Sequence, residues 1–318
     1  MDYGHRYADK KISAVDRELK KTYRTAQKEL KEKLKDFNRR FAAKDKEKRI
    51  QLKSGKITES QYRDWLSGQV FIKSRWQEQI NMINAVLYDH NRQAMNIVNT
   101  SRFDVFAENY NFNAFIAEKN LVATFNLYNA ESVARLILDD PQILPKWDID
   151  KKKDYIWNQQ RVNNIIRQAI IQGKPIEEIT DDLVKGLSAK NENRMRLFAR
   201  TAITEAENAG RQQQMNDAAE MGIEVKKMWI ATHDNRTRDA HRGLDGAIVP
   251  YDQPFKSELG DIMHPGDPTA DPANVYNCRC TMRTIYPKYD MRTPRGEGVV
   301  IDGQSYADWK KGKKKRAS

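Results

Sequence analysis

Cysteine is nearly missing from this chain: there are two in 318 residues, Cys278 and Cys280, with Arg279 between them. Two cysteines make no disulfide scaffold, and a bridge between residues two apart would close a strained, easily reduced ring. Long apolar runs are missing as well. No stretch approaches the roughly 20 residues a membrane helix needs, so no membrane is expected among the partners. The opening residues, MDYGHRYADKK, hold no apolar core of a secretory signal. No G-x-x-x-x-G-K-S/T loop occurs, which excludes a P-loop motor, and no paired carboxylates stand at a recognised metal-nuclease spacing. Proline and glycine are absent from residues 5–54, which leaves that stretch free to run as one helix.

What the chain has in abundance is charge, and it is unevenly spread. The formal net charge is +12. Residues 1–50 carry 17 Lys and Arg against 9 Asp and Glu, and residues 310–318, KKGKKKRAS, carry six basic residues and no acid. The stretch 51–309 holds 33 basic residues against 35 acidic ones. A near-neutral body with basic ends suits attachment to a polyanion such as double-stranded DNA, without sequence preference. Lys310, Lys311, Lys313, Lys314, Lys315 and Arg316 are the candidate DNA-binding residues, on a tail over 291–318 expected to be flexible. Lysine-rich ends also serve solubility alone, and both readings stay open.

Helical periodicity dominates the first half. Ile12, Val15, Leu19, Tyr23, Ala26, Leu30, Leu34, Phe37 and Phe41 recur at a mean spacing of 3.6. Trp76, Ile80, Ile83, Leu87, Ala94 and Val98 form a second stripe. Between them Gly55 breaks the chain, and Thr58 with Gln61 reads as a capping box. Residues 101–138 are ambiguous between helix and hairpin, and the prolines and charges of 139–153 suggest a boundary. Three further helices follow: one ending at Gly173, one from Pro175 to Gly186, and one ending near Gly222. EVKKMWIAT then alternates like a strand. The expected fold is mainly α with a small α+β C-terminal module, with short strands and ordered loops over 223–287. The expected division is 1–150 as a helical docking or spacing region, 151–290 as the compact module and 291–318 as the tail.

The loop-rich stretch holds His233, His241 and His264 beside both cysteines. Zinc takes four N, S or O ligands in a tetrahedron. Cys278, Cys280 and His241 supply three, and His264, His233 or Asp267 are candidates for the fourth. Buried free thiols, a strained disulfide and a nucleophilic cysteine activated by His241 are the alternatives. Arg236, Arg238, His241 and Asp245 invite a phosphodiester-cleaving reading. Against it stands a capped helical turn begun by Asp234 or Asn235, with Arg238 paired to an acid such as Asp245. In ARTAITEAENAG, Glu205 belongs to a helix whose buried polar groups anchor the loop region.

The ordered series Arg200-Thr201, Glu205, Trp229, Arg236-Thr237-Arg238, His241, Asp245-Gly246, Pro265-Gly266-Asp267 and Asn277-Cys278-Arg279-Cys280 resembles the minor head protein, or head-morphogenesis, family of tailed bacteriophages typified by the Mu F protein. The resemblance covers roughly 155–287. It implies a virion protein inside the phage head near the portal protein, facing the capsid or scaffold interior and present in the host cytoplasm during assembly. It implies a part in head assembly, genome packaging or genome ejection, and no enzymatic activity. The rivals are a metal-dependent nuclease or hydrolase built on His241, Glu205 and the cysteine pair, and a cytoplasmic assembly factor absent from the virion.

Overall fold

A computed structural model describes residues 2–70, 73–121, 123–145, 147–288, 300–301 and 303–317. Nine helices and seven short strands follow one another along them. They are α1 (Tyr3–Lys53), α2 (Glu59–Val70), α3 (Lys73–Asn120), α4 (Ala130–Asp139), α5 (Lys151–Ile171), α6 (Ile176–Glu220), β1 (Lys226–Ile230), α7 (Asp239–Gly243), β2 (Ile248–Pro250), β3 (Phe255–Ser257), β4 (Gly260–Ile262), α8 (Pro272–Val275), β5 (Thr281–Ile285), β6 (Val300–Ile301), β7 (Gln304–Ser305) and α9 (Tyr306–Ala317). The mainly helical fold with a small α+β C-terminal part is as expected.

The long first helix forms because nothing in it breaks a helix and its apolar stripe finds partners. Val15, Leu19, Tyr23, Ala26, Leu30 and Leu34 are all buried. The capping box is present: the Thr58 backbone N–H donates to Gln61 Oε1 (2.9 Å), and the Gln61 N–H to Thr58 Oγ1 (3.2 Å). The ambiguity over 101–138 resolves as helix up to Asn120 and α4 from Ala130, with no regular structure over residues 123–129 between them.

Residues 176–220 form one helix rather than two. Gly186 lies within it, and a Cβ there would meet Ile165 Cδ1 at 2.8 Å. This glycine admits a close neighbour and does not end the helix.

The compact units also differ from the consecutive division at 150 and 290. One comprises 1–16, 97–147 and 196–318, and the other 17–96 and 148–195. The long helices α1, α3 and α6 each contribute to both, and the proline- and charge-rich stretch 139–153 does hold one passage from unit to unit, between 147 and 148.

The second unit packs Leu30, Leu34, Ile80, Ile83, Leu87, Val162, Ile166, Leu183 and Leu187 around one core. Beside it runs a buried amide network, in which Asn158 donates to Asn84 (3.0 Å), Asn191 to Asn158 (3.2 Å), and Asn91 to Asn191 (3.1 Å) and Asp154 (2.9 Å). Satisfied amides of this kind fix the register of facing helices.

The first unit carries the strands. β1 is central in an antiparallel sheet of order β2-β1-β5, while β3-β4 and β6-β7 are separate ribbons. The segment expected as a flexible tail ends in α9. Its Tyr306 and Trp309 are buried among Phe112, Phe115 and Leu121, and Trp309 Nε1–H donates to Glu118 Oε2 (2.6 Å). Two large aromatics with a hydrogen-bond partner offset the ordering entropy that the surrounding lysines could not. Residues 289–299, which fall in the same expected tail, lie outside the described residues.

Candidate functional site: a buried Cys–His centre held by α6

The polar residues of RTAITEAENAGR run along one face of α6 and hold residues 277–282 in place. Thr201 Oγ1 accepts from the Asn277 N–H (3.2 Å), and Thr204 Oγ1 donates to the Cys278 carbonyl (3.1 Å). Asn208 Oδ1 accepts from the Met282 N–H (3.1 Å), and Arg211 donates to the Met282 carbonyl (3.0 Å). Their spacing of three, four and three residues is that of a helix face. Ten residues of helix rise about 15 Å, and five steps of extended chain span about 16 Å. The two segments therefore stay in register. Glu207, on a neighbouring row, accepts from Thr281 Oγ1 (2.6 Å) and bonds His5 Nδ1 (3.0 Å). Arg211 also donates to both carboxylate oxygens of Asp2 at 2.7 Å. The anchoring role expected for this helix is what these bonds describe.

Side chains alternate along an extended chain, and Cys278-Arg279-Cys280 uses that alternation. Arg279 turns away from the core and pairs with both oxygens of Asp234 (2.5 and 2.7 Å). Cys278 and Cys280 turn inward together, beside Trp229, Leu244, Phe255 and Ile262. Both are free thiols.

His241, on the short helix α7, meets them there. Its Nδ1 lies 3.6 Å from Cys278 Sγ and 3.7 Å from Cys280 Sγ. Its ring packs edge-on against Trp229 at 5.3 Å. Its Nε2 lies 2.8 Å from Asn274 Oδ1, while Asn274 Nδ2 donates to the Gly260 carbonyl (3.1 Å). The Asn274 amide therefore presents its oxygen to the ring, Nε2 carries the proton, and the Nδ1 lone pair faces the two sulfurs. Hydrogen bonding between the two thiols lowers Cys280 and, together with burial, raises Cys278.

His264 and His233 stand elsewhere. His264 Nδ1 bonds the Pro265 carbonyl (3.3 Å), and the exposed His233 pairs with Asp245 (3.2 Å). Asp267 is occupied as a loop cap, accepting from the Met263 N–H (2.9 Å) and the Thr269 N–H (2.8 Å). Among the described residues the cluster is His241, Cys278 and Cys280, without the expected fourth member. The reason is topological: residues 263–269 close on their own turn and on α6.

Gly266 sits in that turn with φ +84°, and a Cβ on it would meet the Glu205 backbone N at 2.8 Å. Glu205 itself pairs with Arg102 (3.0 Å) and accepts from Trp147 Nε1–H (2.7 Å). Burial raises its carboxyl to about 7 against the pull of Arg102.

The phosphodiester-cleaving set does not assemble. Arg236 is exposed beside Asp234, and Arg238 donates to the Tyr276 carbonyl rather than pairing with Asp245. Asp245 accepts from the Ala231 N–H (2.8 Å). Asp234 does not cap a helix; it binds Arg279 and accepts from the Arg236 N–H (3.0 Å). Thr237 Oγ1 donates to the Thr232 carbonyl (2.5 Å). Arg200 is half-buried on α6, and Gly246 forms a turn whose N–H donates to the Trp229 carbonyl (2.9 Å). Asn277 takes a left-handed φ of 59°, a conformation asparagine tolerates better than most residues. Asn274 was not singled out from the sequence. The signal was the helix start Asp271-Pro272, which turns the third residue of α8 into the core.

Of the basic residues near the C-terminal end, Lys310 pairs with Glu108 (2.7 Å), and Lys313 with Glu118 (2.5 Å) and the Phe125 carbonyl (2.7 Å). These two lysines fasten α9 within the molecule. Lys311, Lys314 and Lys315 are exposed, and the Arg316 side chain lies outside the described residues.

Comparison with known proteins places this centre in context. Residues 160–283 match the family model described as Phage Mu protein F like protein. The chain is 26% identical to minor head protein GP7 of Bacillus phage SPP1 over 97% of its own length and 96% of that protein. It is 29% identical to the NAD(+)–arginine ADP-ribosyltransferase EFV of Enterococcus faecalis over 47% of its length and 31% of that protein. An uncharacterised protein of Haemophilus influenzae is 32% identical over 38% of the chain and 23% of that protein. No solved structure matches.

Proposed function

The chain belongs, through residues 160–283, to the Phage Mu protein F-like family of head-morphogenesis proteins, and from that premise we propose that it is a minor head protein of a tailed bacteriophage, housed in the virion head. One observation carries the proposal: the similarity to minor head protein GP7 runs end to end, over 97% of this chain and 96% of that one. The finer role is to bind the head interior near the portal and to contact packaged DNA without sequence preference during assembly, packaging or ejection. The basic ends support it, through the dense Lys and Arg of residues 1–50 and the exposed Lys311 and Lys314 of α9.

The protein acts as a structural component and not as an enzyme. The polar groups that a hydrolase would gather are spread over separate ion pairs and caps, and His241 is 1% exposed. The chain spans less than a third of the ADP-ribosyltransferase it resembles, so that activity does not carry over.

A nonsense mutation in the gene, within the phage genome that carries it, tests the head role. Infectious titre should fall, with defective heads, and recover when the gene is supplied in trans. Unchanged titre and head morphology would overturn the proposal. For DNA, gel retardation across a salt series should show affinity dropping steeply with salt, as counterion release requires. Salt-independent binding contradicts an electrostatic contact.

A further inference from the structure

We infer that His241, Cys278 and Cys280 bind one zinc ion that ties the loop-rich module together. Three soft-metal donor atoms converge there: His241 Nδ1 lies 3.6 Å from Cys278 Sγ and 3.7 Å from Cys280 Sγ, and a single cation would engage all three together.

The distances fit such an ion. Zinc bound at about 2.3 Å to sulfur and about 2.0 Å to nitrogen, with tetrahedral angles, sets its S and N ligands about 3.6 Å apart. All three donor atoms lie within 4.8 Å of one another.

The surroundings fit as well. The Asn274 carboxamide oxygen accepts from Nε2–H, the outer contact that orients a metal-binding imidazole and leaves Nδ1 free. The backbone N–H of Cys280 points at Cys278 Sγ (3.4 Å), a contact that favours a thiolate over a thiol. Both cysteines would bind as thiolates, and Zn²⁺ with two thiolates and a neutral imidazole carries no net charge. A neutral centre suits an enclosure of Trp229, Leu244, Phe255 and Ile262, where a net charge would be costly. Two thiolates and an imidazole select zinc over magnesium or calcium.

The ion would join α7, through His241, to the segment that α6 holds, through the cysteines. Burial of all three ligands, at 1–2% exposure, assigns the centre to structure and away from substrate turnover. No His, Cys, Asp or Glu side chain among the described residues supplies a fourth ligand.

The test uses the full-length chain, purified under reducing conditions from zinc-containing medium and also loaded with Co²⁺ after zinc removal. Elemental analysis should find about one zinc per chain, and the cobalt form should show thiolate-to-cobalt charge-transfer absorption. His264→Ala should keep both signals, while Cys280→Ser and His241→Ala should lose the stoichiometric zinc. If those two variants fail to fold, the cobalt spectrum of the unaltered chain decides. A folded chain that neither carries zinc nor develops the cobalt absorption overturns the inference, as does loss of zinc in His264→Ala with retention in Cys280→Ser.

Discussion

Replacing Gly266 by alanine puts a methyl group where the backbone of α6 already stands. Two costs arise. The residue has φ +84°, and a non-glycine residue in that left-handed region loses about 1–2 kcal/mol. The new Cβ would also lie 2.8 Å from the Glu205 backbone N and 2.9 Å from its Cα. A helix backbone cannot swing aside as a side chain does, so the loop must lift, at roughly 1–3 kcal/mol by analogy with overpacked cores. The sum is roughly 2–5 kcal/mol. Gly246 is the control. Its φ is +77°, and a Cβ there meets nothing within 4 Å, so Gly246→Ala should lose only the backbone part, about 1–2 kcal/mol. Hydrogen exchange read at β1, β5 and residues 277–282 reports the opening of this region without requiring the whole chain to unfold in one step. Gly266 lies against the stretch of α6 that bonds residues 277–282, so Gly266→Ala should speed exchange there roughly 30-fold or more, and Gly246→Ala distinctly less. Equal effects from the two variants would refute the claim that close approach to α6, and not backbone conformation alone, selects glycine at 266.

Two further outcomes follow from single contacts. Burial holds Glu205 at about 7, above its ordinary 4.5. A carboxyl raised by folding stabilises the fold in its neutral form, so its contribution is complete below about pH 4.5 and fades as the pH climbs to about 7. Urea unfolding of the parent should weaken over that window, and Glu205→Gln should remove part of the slope; parallel pH profiles would contradict the assignment. Trp309 is 4% exposed and bonds Glu118. Trp309→Ala should cost about 3–5 kcal/mol locally and release α9, seen as fast exchange over 306–317 with α6 unaffected; undisturbed protection there would mean that Lys310 and Lys313 hold the helix alone.

Much of the molecule was legible before any coordinates, and the failures have physical causes. Periodicity located α1 because a 51-residue helix with no Pro, and no Gly after Gly4, repeats its stripe many times. The Thr58–Gln61 box was readable because it is a local bond between neighbours. Gly186 misled because glycine has two uses, to end a helix or to admit a neighbour, and Ile165, which decides between them, lies 21 positions upstream. The C-terminal segment misled because its lysines outnumber its aromatics, yet burial of Tyr306 and Trp309 outweighs them. At the centre, His241, Cys278 and Cys280 were named from chemistry alone, since few residue types bind soft metals. Dropping His264 and adding Asn274 required the fold: nothing in the order of residues says that Asp267 closes the 263–269 turn on itself, or that α8 turns Asn274 towards the imidazole.

The central claim, that this is a protein of the phage head, meets its most direct test in quantitative mass spectrometry of purified virions from the phage that encodes it, compared before and after DNA release. Peptides of this chain should appear in DNA-filled particles at low copy relative to the major shell protein, with tryptic coverage from both α1 and α6. Peptides confined to the infected-cell lysate and missing from purified particles would contradict it.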